Sequence, residues 1–467
     1  MAIFSIVPFD KLTSAARWDA EYYQPHLLAL SDRLKRNGAA LLGRYVTQAQ
    51  RGQAPAYNDK GTVPVIRTVN VRDLELSDER LEHVSKTSFD ENRKGQVSGG
   101  NIIVTSTGMG TLGRTFCNLY DRSYFADGHI TVLQLRDRTQ GPFLTAVLQS
   151  SIGIRQFEQR QRGSSGQIEI YPEDILSVLI PKLSPETVKA ITEKWTAAIR
   201  LVEDSKRLYP EAEVELLDQI GWKELARKPR ELFYTENFET LTEHGRIDAE
   251  HYQPKFARLI ARLEKLGSMP LADLFTSCDK GTQPDEYTED GEVIVVKSKD
   301  VFGQGIDLAS CERTSVRAWA DEPARLKEND VVINSTGMGT LGRAGVVHCG
   351  DEKIVASVDL FILRTKSDVV DPDYLSLFLN SPAGIAQSEQ FQTGSSGQLH
   401  LYPEHIRQFT VFVPRNGNRR ADLARQKRLA DKVRTAARAK VEARAKLAEA
   451  KRLVEDAIGT SVRGQSA

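Results

Sequence analysis

The sequence predicts an α+β fold in which one mixed unit is written twice, each copy followed by a long helix. Three observations predict it. The nine residues STGMGTLGR at 106–114 return at 335–343, a spacing of 229. Short β-branched runs between Gly, Asp and Asn turn residues fill the front of each copy. The back of each copy carries apolar residues at 3-4-3-4 spacing, the pattern of a coiled-coil seam.

The repeat extends beyond the nine residues. RWDAEYYQP at 17–25 returns as RIDAEHYQP at 246–254, and Phe4, Phe9 and Leu12 find Phe233, Phe238 and Leu241 at the same offset of 229. GSSGQIEIYPEDI at 163–175 returns as GSSGQLHLYPEHI at 394–406, offset 231, and Asp218–Gly221 answers Asp456–Gly459, offset 238. A slow drift means few insertions, and the period is far longer than the ~20–50 residues of a solenoid repeat. The chain therefore reads as two copies of one domain, 3–231 and 232–467, able to pack about an approximate two-fold axis as homodimers do.

Taken in order, each copy opens with a helix after a proline. Leu27, Leu28, Leu30 and Leu34 keep helical spacing after Pro25, as do Phe256, Leu259, Ile260 and Leu263 after Pro254. Strands are expected at 63–71, 101–105 and 129–135, and again at 293–297, 331–334 and 359–363. One helix is expected over 143–157 and its counterpart over 374–391. From Pro185 a seam runs through Val188, Ile191, Trp195, Ala198 and Val202. Pro210 is expected to interrupt it before Leu216, Leu217 and Ile220 resume. The stretch 419–458 is rich in Ala, Lys, Arg and Glu, strong helix formers, with a seam at Leu447, Ala450, Val454 and Ile458. Neither helix can bury its stripe alone, so the two are expected to pair antiparallel. The expected boundaries are a mixed domain at 1–184, a spacer helix at 185–221, a second mixed domain at 222–414, a second spacer helix at 415–459 and a tail at 460–467.

Composition excludes several classes. With 467 residues, 40% hydrophobic and 27% charged, the chain reads as ordinary globular protein. It has no run of about 18 apolar residues and no secretion signal at its start, so neither a membrane partner nor export is expected. Cys117, Cys278, Cys311 and Cys349 are read as reduced thiols, and no Cys/His spacing suits zinc. A formal net charge of zero excludes a nonspecific polycation but leaves room for a local basic surface. Such a surface is suggested at 415–456, with fourteen Lys/Arg against six Asp/Glu.

Inside the repeated nine residues, GMGTLG fits the G-x-G-x-x-G pattern of a dinucleotide loop. That loop needs a strand before it and a helix opening within it. The strand is there (NIIVTS, VVINS), but RTFCNLYDRS and RAGVVHCGDEK read as a second strand and a turn. The expectation is a β-loop-β element rather than a nicotinamide site. Three glycines still imply close backbone approach, with Arg114 and Arg343 directly after. No Walker loop, H-E-x-x-H, G-x-S-x-G or amino-methyltransferase Asn/Asp-Pro-Pro-aromatic motif occurs, and GSSGQ has no His or Asp in a repeatable relation to it. The chain is therefore expected not to be an enzyme and to hold no cofactor or metal. What recurs is polar loops: Arg67 against Lys297, the glycine loop, and Arg160/Arg162 leading into GSSGQ. Ser, Gln and Arg are side chains that contact DNA phosphates and base edges.

At these residues the sequence resembles the specificity subunit of Type I restriction-modification systems. The resemblance rests on the glycine loop after a strand (NIIVTSTGMGTLGR, DVVINSTGMGTLGR), on GSSGQIEIYPEDILSVLIPKLSPETVKAI leading into a spacer helix, and on RIDAEHYQP as a domain opening. In the second copy the Pro-rich approach to the helix is replaced by a basic stretch. The duplicated order covers essentially the whole chain. The resemblance implies two target-recognition domains, each reading one half of a split sequence in double-stranded DNA, with the helices fixing the gap. It implies two S-adenosylmethionine-dependent adenine methyltransferase subunits as partners and an ATP/Mg-dependent restriction motor for phage defence, in a bacterial or archaeal cytoplasm. A helix of 24–36 residues spans about 36–54 Å, and half-sites one DNA turn apart lie ~34–36 Å from each other.

The candidate DNA-binding residues are Arg67, Thr107, Arg114, Arg162, Ser164, Ser165 and Gln167 in the first copy. In the second they are Lys297, Lys299, Thr336, Arg343, Ser395, Ser396 and Gln398. The copies agree in the glycine loop and GSSGQ but differ over 51–99 and 281–328. Shared residues are read as scaffold or phosphate contacts and divergent ones as base readers, with Arg67, Lys297 and Lys299 foremost. The expected site is bipartite and asymmetric. The alternative is a helical adaptor that organises protein partners without sequence-specific DNA binding.

Overall fold

A computed structural model describes residues 6–459 apart from 16, 78–79, 164–167, 230, 232, 395–397 and 419. The chain forms two compact units, 1–203 with 440–467, and 204–439. Each long helix contributes to both: Pro185–Ile220 gives its first part to unit 1 and its remainder to unit 2, while Leu423–Ala457 does the reverse.

The units are built to one plan. In unit 1 an antiparallel sheet runs Val46–Arg51, Ile130–Leu135, Ile102–Thr105, Thr115–Cys117. In unit 2 the order is Phe275–Lys280, Leu360–Thr365, Val331–Asn334, Ala344–Val346. Both edge strands carry a register shift at the same place, Val46/Gln48 and Phe275/Ser277. A second sheet in each unit is centred on a parallel pair, Val63–Ile66 with Tyr124–Ala126, and Val293–Val296 with Ile354–Ala356. The expected strand over 63–71 is thus shorter: it ends at Ile66, and Thr68–Asn70 form a 3-10 turn closed by Asn70 Oδ1 accepting from the Arg67 N–H at 3.0 Å. Unit 2 makes the same turn through Asp300 and the Lys297 N–H, 2.9 Å.

The opening helices appear as Pro25–Arg36 and Pro254–Lys265 and bury Leu27, Leu30 and Leu34, and Phe256, Leu259 and Leu263. The single helix expected at 143–157 is two, Gly141–Gln149 and Ser151–Arg160, and that at 374–391 is Pro372–Asn380 and Pro382–Phe391. Ser150 and Ser381 leave the helical region with ψ of 167° and 161°. Pro382 disfavours a helical residue before it. Gly153 and Gly384 let the second helix close on the carbonyl ends of Leu148 and Leu379, where an added Cβ would stand 2.3 Å from each oxygen.

Contrary to the expected interruption, Pro210 lies inside an unbroken helix Pro185–Ile220. Tyr209, Ala212, Leu216 and Ile220 are buried around it with Leu429, Ala430, Val433 and Ala436. Burial of that stripe outweighs the lost hydrogen bond, worth about 3 kcal/mol for a proline in a helix interior. In unit 1 the seam Ile191, Trp195, Ala198 and Val202 meets Ala443, Leu447, Ala450 and Val454 in one core. Lys194 pairs with Glu449 in unit 1, and Glu215 with Arg428 and Lys432 in unit 2. Within each unit the helix segments therefore run antiparallel.

Each unit also ties its opening helix to the end of a long helix. Arg33 donates to Gly459 O at 2.9 Å, and Arg262 to Ile220 O at 2.8 Å. The helix C-terminus leaves its last carbonyls unpaired, and the guanidinium satisfies one while complementing the dipole.

Candidate functional site

The glycine loop joins two antiparallel strands in both units, Ile102–Thr105 to Thr115–Cys117 and Val331–Asn334 to Ala344–Val346. No helix opens from it, so it does not offer the helix N-terminus that a pyrophosphate needs. Its glycines serve the backbone: Gly108, Gly110 and Gly113 have φ of 101°, 76° and 81°, and Gly337, Gly339 and Gly342 have 108°, 80° and 75°. Met109 and Met338 stand at the same place in the loops and are equally exposed, 73% each.

Arg114 and Arg343 clasp these loops. Arg114 donates to Gly110 O at 2.9 Å and to Val71 O at 3.5 Å; Arg343 donates to Gly339 O at 3.3 Å and to Val301 O at 3.2 Å. Burial, then the charge of Arg72, pulls the Arg114 pKa below its ordinary value. Both arginines, read from sequence as phosphate contacts, thus hold their own loop. Thr107 bonds His129 Nδ1 at 2.8 Å, and Thr336 donates to Asp359 Oδ1 at 2.9 Å. His129 and Asp359 are equivalent, since their carbonyls accept from Ser106 N and Ser335 N. The same loop threonine therefore meets a different partner in each copy.

The candidate base readers have partners in their own units. The Arg67 guanidinium donates to Arg80 O and lies 4.0 Å from Glu82. Lys297 and Lys299 share Glu312, at 2.6 and 2.8 Å, and Lys297 lies 3.8 Å from the Tyr287 ring centre. Burial opposes the charge of Lys297, yet its bonds to Glu312 and Tyr287 hold its pKa above the ordinary value. Those same two lysines lower the pKa of Glu312, Lys297 first. Arg162 makes a two-pronged bond to Asp174, 2.9 and 2.8 Å, and Arg160 is buried on Ser177, Gln156 and Gln159. Gln398 is exposed. Ser164, Ser165, Gln167, Ser395 and Ser396 lie outside the described residues.

Around the GSSGQ hairpins the scaffold is shared and the chemistry is not. Backbone bonds close each hairpin, Arg162 with Glu169 at 2.7 and 2.8 Å, Thr393 with His400 at 2.9 Å both ways, and each also bridges to the glycine loop at Thr107 or Thr336. In unit 1 the Tyr171 ring lies near two guanidiniums, Arg51 at 5.2 Å and Arg162 at 5.5 Å. Glu169 accepts from Tyr171 and from Arg51, 3.1 Å. Those bonds, Tyr171 first, keep its carboxyl below the ordinary range. In unit 2 the equivalent positions are Lys280, Thr393, His400, Tyr402 and His405. His400 and Tyr402 stack at 6.5 Å, and a cavity of about 140 Å³ opens among Cys278, Lys280, Thr336, Phe361, His400 and Tyr402. Sequence reading placed Arg162 and Thr336 in the site but not Arg51, Glu169, Tyr171, Lys280, His400 or Tyr402, although Glu169/His400 and Asp174/His405 are visible differences inside the most similar segment.

Many cations of the basic stretch are paired. Lys427 bonds Asp431, Arg428 and Lys432 meet Glu215, and Lys451 reaches Asp73 at 2.6 Å. Among the described residues no helix is long and apolar enough to cross a membrane, and no cluster of three His, Cys, Asp or Glu could hold a metal.

The chain matches no protein-family model and no curated protein. Among solved structures it is similar to the Type-I restriction-modification system S subunit from M. genitalium, at 13% identity over 92% of this chain and 96% of that one, TM-score 0.46. It is also similar to the HsdS subunit from Thermoanaerobacter tengcongensis, 14% identical over 91% and 96%, TM-score 0.26. The type IIG restriction endonuclease BpuSI aligns with 41% of this chain and 30% of its own length, at 11% identity and TM-score 0.30.

Proposed function

We propose that this chain is the DNA sequence-specificity subunit of a Type I restriction-modification complex and is not itself catalytic. Each unit reads one half of an asymmetric bipartite site in double-stranded DNA. The long helices set the unread gap and bind two adenine methyltransferase subunits, which carry S-adenosylmethionine. A restriction motor using ATP and Mg completes the assembly in a bacterial or archaeal cytoplasm. The observation that carries the reading is one scaffold built twice with divergent chemistry at the same loops. A scaffold repeated with different side chains suits two readers of different sequences better than an adaptor, whose duplicated surfaces would present the same chemistry to the same partner.

The test is a map of methylated adenines across the host genome with and without the gene. Loss of a gapped two-part motif on deletion is the expected result. An unchanged map, together with duplex binding insensitive to salt, would favour the adaptor.

A further inference from the structure

In unit 1 the space beside the glycine loop is filled by its own side chains. Arg51 reaches over to Glu169 and Ile170 O, 3.1 Å each, and stacks on Tyr171. In unit 2 the equivalent space is open. Lys280, at the end of the edge strand Phe275–Lys280, is exposed and its ammonium has no partner among the described residues. The His400 ring stacks on Tyr402 and makes no hydrogen bond among the described residues, while Thr336 is held by Asp359. The cavity of about 140 Å³ lies between these groups. It therefore offers a cation, an imidazole and an exposed phenol to one small volume.

The geometry points to a base-reading pocket in unit 2, in which Lys280 and His400 donate to the acceptor edge of a guanine in the major groove of duplex DNA. This rests on the specificity reading above. A phosphate oxygen and a guanine edge are both acceptors, and the other copy separates them. A phosphate contact asks for the same free cation in both units, but the counterpart of Lys280, Arg51, is held by Glu169. The position of His400 is Glu169 in unit 1, and a carboxylate repels phosphate but accepts from the amino group of cytosine. A position that alternates between carboxylate and imidazole on one scaffold suits a base edge. Guanine offers two adjacent acceptors, O6 and N7, which a lysine with a neighbouring ring N–H can share; adenine and thymine each present one acceptor beside a donor or a methyl.

The experiment selects bound sequences from a randomised duplex library with the full chain and with Lys280→Ala, Lys280→Arg and His400→Glu. The unaltered chain is expected to enrich a gapped motif with a guanine in one half. Lys280→Ala should lower the preference for that guanine about ten-fold, in keeping with the loss of one base-edge contact, and leave the other half intact. Lys280→Arg should keep the guanine, and His400→Glu should move the preference at that position towards cytosine. The intact second half in each variant reports a folded protein. Equal weakening across all sequences with both halves kept would assign Lys280 to a phosphate and overturn the pocket, as would an unchanged preference in every variant. Failure of the unaltered chain to select any sequence would bring down the specificity reading itself, and is seen before any variant is compared.

Discussion

Gly342 and Gly339 sit in one loop with the same sign of φ, yet their surroundings differ. An added Cβ at Gly342 would stand 1.9 Å from Ser388 Oγ, while at Gly339 nothing lies within 4 Å. Gly339→Ala should cost about 1–2 kcal/mol, the strain of a left-handed residue with a side chain. Gly342→Ala should cost clearly more, because strain and clash add. Urea unfolding of the two variants checks this, and equal costs would mean that Ser388 turns away freely. Arg343 has a related role. Arg343→Ala removes a charged donor from Gly339 O and Val301 O, and a loss of about 1.5–3 kcal/mol is expected. A variant with unchanged stability but weaker DNA binding at every sequence would return the arginine to the phosphate.

The long helices depend most on burial along their seams. Pro210 removes a donor from the interior of Pro185–Ile220 without breaking it. Pro210→Ala should therefore stabilise unit 2 by about 1–3 kcal/mol, read as a higher unfolding midpoint. A fall would show that the proline bend is needed for the packing around Tyr209 and Ala212. In unit 1, Trp195 is fully buried and donates to Gln149 Oε1 at 3.0 Å. Trp195→Ala should cost about 3–5 kcal/mol, and a loss under ~1 kcal/mol would mean the seam collapses around the gap.

Each unit has a large core of its own, so damage can be local. Unit 2 adds a charge cluster with no counterpart among the described residues of unit 1. Arg434, on the helix Leu423–Ala457, pairs with Asp373 at 2.7 Å and with Asp371, and His348 bridges Asp373 at 3.2 Å and Glu328 at 3.1 Å. The bond to Asp373, against a cost of burial, holds the His348 pKa above its ordinary 6.5. A raised pKa means the protonated form is favoured on folding. The stabilisation is present below pH 6.5 and is lost as pH rises through the higher folded value. The thermal midpoint of unit 2 should therefore fall as the pH is raised above His348's ordinary 6.5, and His348→Gln should flatten that slope. An identical slope in the variant would place the titration elsewhere.

Much of this architecture was legible in the residues alone. The duplication needed only counting, the opening helices followed from Pro25 and Pro254, and the β-loop-β character of the glycine loop followed from the β-branched residues on either side. Those features are local, and local chemistry dictates them. What the sequence could not show was where charged side chains end up. Arg67, Lys297, Lys299, Arg114 and Arg343 read as free cations, because their partners Arg80 O, Glu312, Gly110 O and Gly339 O are chosen by folding. Pro210 read as a break, because the burial that carries the helix through it comes from residues more than two hundred positions away. The open space at Lys280 and its filled counterpart at Arg51 are likewise products of packing. The duplication, the opening helices and the β-loop-β element follow from the residues alone. Which charges are already paired and which remain free for a ligand is settled by folding, since pairing depends on distance in space rather than along the chain.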